Sequence, residues 1–169
     1  MKKILVGLLF ALSLSFSQAL TAEVVTADSG YSMNFTKETT GLVRHLKVYK
    51  SPRWVSKITL TNGKELFFSS PKSMLEFYYH PGKWFDIGVK SEDDFKDVLV
   101  TDYETMKPIN AKGAFYVYGS SDTSPAGDDL VPFGSYDAAQ RFAKQNNGTR
   151  VLAFTEISEA LINLLNGKI

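Results

Sequence analysis

Apolar positions in this chain fall into two rhythms, and each change of rhythm marks an element. Leu42-Val43-Arg44-His45-Leu46-Lys47-Val48-Tyr49 alternates in part and Trp54-Val55-Ser56-Lys57-Ile58-Thr59-Leu60 alternates well, so both predict strands. The Asn62-Gly63 pair that follows is a strong hairpin signal, because both residues tolerate positive φ, and Glu65 to Ser69 reads as the returning strand. Ser70-Pro71 has the chemistry of a helix start: a hydroxyl to cap free amides, then a proline suited to the first helical position. The helix is expected to run through Tyr79 and stop near Pro81-Gly82, with a further strand at Val98-Leu99-Val100-Thr101.

The second half repeats this order. Ala114 to Tyr118 predicts a strand, and Gly119 to Asp129 a loop rich in serine, glycine, proline and aspartate. Leu130 to Phe133 follows as a short strand whose Pro132 is tolerated only at an edge. Ser135 can cap a helix from Tyr136 to about Gln145, ended by Asn146-Asn147-Gly148. Val151 to Phe154 closes as a strand, and Glu159 to Leu165 is a short last helix.

Phe68-x-Ser70, then Met74 and Phe77, falls on Phe133-x-Ser135, then Ala139 and Phe142, at a constant offset of 65. Few positions carry the match, so chance competes with duplication, but the shared order of elements on both sides favours duplication. The expected fold is therefore α+β: two similar ββαβ units in tandem, with antiparallel or mixed sheets each carrying one helix. Their bounds are 41–110 and 111–169, preceded by a polar lead-in over 20–40. A slot filled by Met in one copy and Ala in the other calls for a space-filler, which makes Met74 core and not a ligand.

The first residues change the picture of where the chain works. Lys2-Lys3, an apolar run from Ile4 to about Phe16 and then Ser17-Gln18-Ala19 form the layout of a secretory signal peptide over 1–19, with Leu20-Thr21-Ala22 a second cleavage choice. The run is short for a bilayer span, which needs about 20 apolar residues, although retention as an uncleaved anchor is the alternative. A periplasmic protein without a membrane anchor after cleavage is expected. Loss of Lys2 and Lys3 from 19 basic and 18 acidic residues leaves one excess acid, so there is no electrostatic case for a nucleic-acid partner. With no cysteine there is no disulfide, thiolate ligand or thiol nucleophile, and packing must supply the stability.

Catalytic patterns are lacking: no G-x-S-x-G elbow, no H-E-x-x-H helix, no phosphate-binding glycine loop. The chain is expected not to be an enzyme. Two histidines without cysteine are too few for a dedicated zinc site. Copper(I) is different, since thioethers and imidazoles suit it and few ligands suffice. The candidate donors are Met33, in the polar stretch Ser29-Gly30-Tyr31-Ser32-Met33-Asn34; Met106, in a turn-like segment; His45, on a strand facing solvent; and His80, at a helix end where an imidazole can meet free carbonyls.

Trp54-Val55-Ser56-Lys57-Ile58 before an Asn-Gly turn, Phe67-Phe68 before the Met74 helix, Asp102-Tyr103 ahead of Ile109-Asn110-Ala111, Ala114 to Ser120, and Ala139-x-x-Phe142 leading to Gly148 resemble the nitrous-oxide-reductase accessory family called NosL, from about Met33 to Ile157. The resemblance implies two ββαβ units, copper(I) as the metal, and nitrous oxide reductase or its assembly machinery as partner. The family's copper-associated Cys-Gly-Met has Tyr31-Ser32-Met33 in its place, and its Pro-Met-Gly run falls on Pro125-Ala126-Gly127. Nor is there a cysteine for the lipid anchor typical of members, so the chain reads as a divergent member. A metal-free interaction module that kept the scaffold and lost the ligands is the competing reading.

Overall fold

The computed structural model describes residues 30–168; the expected signal peptide and the first half of the lead-in lie outside the described residues. The described residues build two antiparallel sheets. The first has the order β2-β1-β3-β4, from β1 (Ser56–Leu60), β2 (Glu65–Phe68), β3 (Phe95–Thr101) and β4 (Pro108–Asn110). The second has the order β6-β5-β7, from β5 (Phe115–Tyr118), β6 (Leu130–Phe133) and β7 (Arg150–Ala153). In each, the first strand is central, pairs with the next strand through a hairpin and takes the strand after the helix on its other side. The two ββαβ units therefore share one topology. β6 is an edge strand, which is why Pro132 can stand in it without costing a ladder hydrogen bond.

Serine caps each of the three α-helices among the described residues. Ser70 accepts from the Ser73 amide at the head of α1 (Pro71–Tyr79), Ser135 from the Ala138 amide at α2 (Tyr136–Gln145), and Ser158 from the Leu161 amide at α3 (Glu159–Leu165). Each cap satisfies a backbone donor that the helix cannot, an effect of about 1 kcal/mol.

The main core lies between the sheets. α1 sits there against β1, β2, β6 and α3, and its Met74, Leu75 and Phe77 are fully buried among Ile58, Phe68, Val100 and, from the second sheet, Tyr116, Leu130 and Leu152. The opposite face of the second sheet packs Val117, Val131 and Phe133 on Ala138 and Ala139 of α2. Met74 and Ala139 thus hold equivalent core slots, as the repeat requires.

One predicted strand is absent. Leu42 to Tyr49 forms a turn closed by His45 N donating to Gly41 O, an isolated bridge between Thr40 and Lys47, and a 3-10 turn at Val48–Lys50. Tertiary packing overrides the alternation there: Gly41 lies so close to the β2 backbone that a Cβ would stand 3.0 Å from the Ser69 amide nitrogen. Arg44 is drawn in to Glu76 at 3.0 Å, which bends the segment around the β2 edge. Strand β3 also begins at Phe95, ahead of the predicted Val98.

Candidate functional site

Met33 lies in a strap across the outer face of the first sheet. Tyr31, Met33 and Phe35 are half-buried and alternate with exposed Ser32, Asn34 and Thr36. At one end Asn110 Nδ2 donates to the Tyr31 hydroxyl at 3.4 Å; at the other the Phe35 ring meets Phe67 edge-on at 6.5 Å. Phe67, Lys57, Leu99 and Asn110 are successive partners across the four strands. Three inter-strand steps of about 4.8 Å match four extended residues of about 3.3 Å each, so the strap follows this row with Met33 at its middle. Beneath it Lys57 and Leu99 point away from the inner core, yet each is only 2% exposed. The Lys57 ammonium pairs with Glu65 at 2.6 Å and stands 5.8 Å from the Phe67 ring centroid.

Met106 lies in the turn between β3 and β4, two residues before β4 begins. Buried Asp102 organises its turn. One carboxylate oxygen accepts from the amides of Glu104 (3.0 Å) and Thr105 (2.7 Å), the other from Gly134 (2.5 Å), and the Asp102 carbonyl accepts from Met106 N at 2.9 Å. The turn holds Met106 at φ 62, a left-handed conformation unusual for a residue with a long side chain, and leaves the residue 42% exposed beside Trp54.

The histidines lie elsewhere. His45 is exposed, but on the turn beyond β2 and not on a strand; its φ of 54 has the same left-handed sign. His80 ends α1 as expected, yet its Nε2 meets Glu159 Oε1 of α3 at 2.6 Å in place of the helix carbonyls. That hydrogen bond holds the Glu159 carboxyl below the usual range. The four predicted donors are therefore divided: Met33 lies in the lead-in strap, Met106 in the turn between β3 and β4, His45 on the turn near the β2 edge and His80 at the end of α1. Among the described residues no group of three or more His, Asp or Glu is placed to hold a metal.

Sequence reading missed a buried polar knot at Pro125-Ala126-Gly127. The Lys72 ammonium donates to the carbonyls of Ala126 (2.8 Å) and Leu165 (3.0 Å). Buried Asp129 accepts from the amides of Lys72 (2.7 Å) and Leu130 (2.9 Å) and from the Ser124 hydroxyl (2.7 Å). Burial pushes the Lys72 amine down and the Asp129 carboxyl up from their ordinary ranges. A lysine in the first turn of a helix and an aspartate in a polar loop look like surface residues, and the partner loop is remote in sequence.

A second polar contact is Tyr103, whose hydroxyl donates to Asp122 at 2.9 Å and whose ring meets Trp54 at 5.3 Å and Phe142 at 5.4 Å. Burial first, and the hydrogen bond to Asp122 second, raise its phenol to about 12.

A solved structure shares this architecture, and a second is similar in sequence. The copper chaperone NosL from Shewanella denitrificans is 22% identical, with a TM-score of 0.65, covering 77% of this chain and 97% of its own. The apo-NosL protein from Achromobacter cycloclastes is 26% identical over 63% of this chain and 87% of its own, with a TM-score of 0.45. No curated protein matches this chain. The NosL family profile spans residues 32–162, from the strap through both units into α3, and on that extent the chain belongs to the NosL family.

Proposed function

We propose that the chain is a periplasmic copper(I)-binding accessory protein, with copper as its cargo, that assists the maturation of nitrous oxide reductase or a related copper enzyme. The observation that carries this reading is membership of the NosL family over residues 32–162. The donor chemistry fits: Met33 and Met106 offer soft, uncharged thioethers, and both residues are at least partly exposed to solvent. His80 is engaged by Glu159, so Met33 with Met106 or the exposed His45 as partner is the favoured donor set.

Titration with copper(I) against a competing chelator tests this. Wild type is expected to bind stoichiometrically, with a loss of about ten-fold or more in Met33→Ala and Met106→Ala. Binding indifferent to both substitutions would remove this donor pair, and no binding at all would sink the chaperone reading.

A specific observation favours a second reading, a metal-free interaction module. By the family resemblance, Tyr31 and Ser32 take the places of a cysteine and a glycine, and Ala126 that of a second methionine. The Lys72 ammonium lies 2.8 Å from the Ala126 carbonyl, and this fixed positive charge opposes a metal cation at that position. On this reading copper leaves the melting temperature unchanged, whereas a ligand that binds the native state raises it.

A further inference from the structure

Arg53 stands between two hollows of similar size on the face where the two sheets meet. One, of about 280 Å³, is floored by Tyr103, Phe133 and Phe142, with Glu104 and Arg141 also lining it. The other, also about 280 Å³, is formed by Pro52, Trp54 and Met106. Arg53 borders both. Its guanidinium lies 5.2 Å from the Tyr103 ring centroid, and Nη1 donates to the Tyr103 carbonyl at 3.0 Å. A guanidinium has five N–H donors in a rigid fork, so most remain available, and among the described residues no carboxylate pairs with it. Glu104, the nearby acid, is already engaged by Arg141 at 3.5 Å. What remains between the hollows is an exposed positive charge.

The surroundings are preorganised. Ring contacts join Trp54, Tyr103, Phe133 and Phe142 into one aromatic cluster, and Asp102 locks the Met106 turn by four hydrogen bonds. Arginine, tryptophan, tyrosine and methionine are the residue types that dominate protein interfaces, and binding energy concentrates where such groups are held rigid beside pockets.

We propose that this face binds an extended segment of a partner protein that presents an apolar, an acidic and a second apolar side chain at alternate positions. In an extended chain alternate side chains share one face. The two apolar groups enter the two hollows, and the carboxylate between them takes the free edge of Arg53. Charge complementarity selects an acidic segment over a neutral or basic one. The inference does not depend on copper binding.

The probe is an amide-capped, fluorescein-labelled peptide, Gly-Leu-Ser-Asp-Ser-Leu-Gly, titrated with the protein by fluorescence polarisation. Saturable binding is expected. Exchanging the peptide's Asp for Asn, or making Arg53→Gln, is expected to weaken it by ten-fold or more each, with the combination no worse than either alone. Arg150→Gln, an exposed base on β7, is expected to leave binding unchanged. Met106→Ala should cost three-fold or more. The peptide exchange needs no protein variant, so it decides the question even if Arg53→Gln perturbs the fold. Equal affinity for the Asp and Asn peptides, or no saturation at millimolar protein, overturns the proposal. So does an Arg53-dependent dimer in sedimentation, which would make a second copy of this chain the occupant.

Discussion

Lys72 binds Asp129 through its backbone amide and not through its ammonium. The amide donates to the carboxylate at 2.7 Å, while the buried ammonium turns to two main-chain carbonyls of other segments. One residue thus ties the head of α1 to the loop before β6 and to the end of α3. Removing the carboxylate in Asp129→Ala leaves three buried donors, the Lys72 and Leu130 amides and the Ser124 hydroxyl, without their acceptor, and leaving a buried donor unsatisfied costs about 1–3 kcal/mol. Urea unfolding at neutral pH is expected to show that loss, and Asp129→Asn, which keeps one acceptor, a smaller one. Burial raises the Asp129 carboxyl above its ordinary 3.8, so the protonation-linked part of the stability, distinct from these hydrogen bonds, is fully present below that pH and is lost as pH rises through the folded-state value. The acid-side stability profile of Asp129→Asn should lack that component.

The repeat predicts a loss of stability at both equivalent slots, from a cavity at one and from overpacking at the other. Met74→Ala empties a fully buried site and is expected to cost about 2–5 kcal/mol. Ala139→Met overfills its counterpart, fully buried against α2's own sheet, for about 1–3 kcal/mol. Thermal unfolding of both variants checks this; indifference at either position would mean that the two cores are not packed alike.

Met106 holds a left-handed conformation that costs a non-glycine residue about 1–2 kcal/mol. Met106→Gly relieves that strain at some cost in chain entropy, so stability is expected to stay level or rise by up to about 1 kcal/mol. Copper(I) affinity and peptide binding are both expected to fall in the same variant. A loss of stability instead would assign the methionine to packing.

Tyr103 stays protonated to about pH 12 in the folded chain, against an ordinary value of 10.0. The folded state therefore holds the proton more tightly, and stability present below pH 10 falls as pH rises toward 12. Tyr103→Phe, lacking the phenol, is expected to flatten the alkaline limb of the stability profile, read by chemical denaturation between these pH values.

Much of the architecture was legible from local pattern. The Asn62-Gly63 hairpin, the Ser70 and Ser135 caps, the extents of α1, α2 and α3, and the shared slot of Met74 and Ala139 follow from side-chain period and from residues with restricted backbone preferences. These are short-range effects, written within a turn or two of chain, and the offset of 65 between the halves made them readable twice.

Contacts between distant segments decided the rest. Leu42 to Tyr49 alternates like a strand, but Arg44's pull to Glu76 and Gly41's approach to Ser69 make it a turn, which takes His45 off any sheet. Lysines such as Lys57 and Lys72 are of a type that usually faces solvent. The first is buried because a strap of lead-in residues crosses the row above it, the second because a loop and a helix end close around it. Tyr31 and Asn110, 79 residues apart in the chain, meet because β4 pairs with β3 and the lead-in reaches its edge. Side-chain period carries no information about which remote backbone will cover a face, so the residue types were in the sequence and their company was set by the tertiary fold.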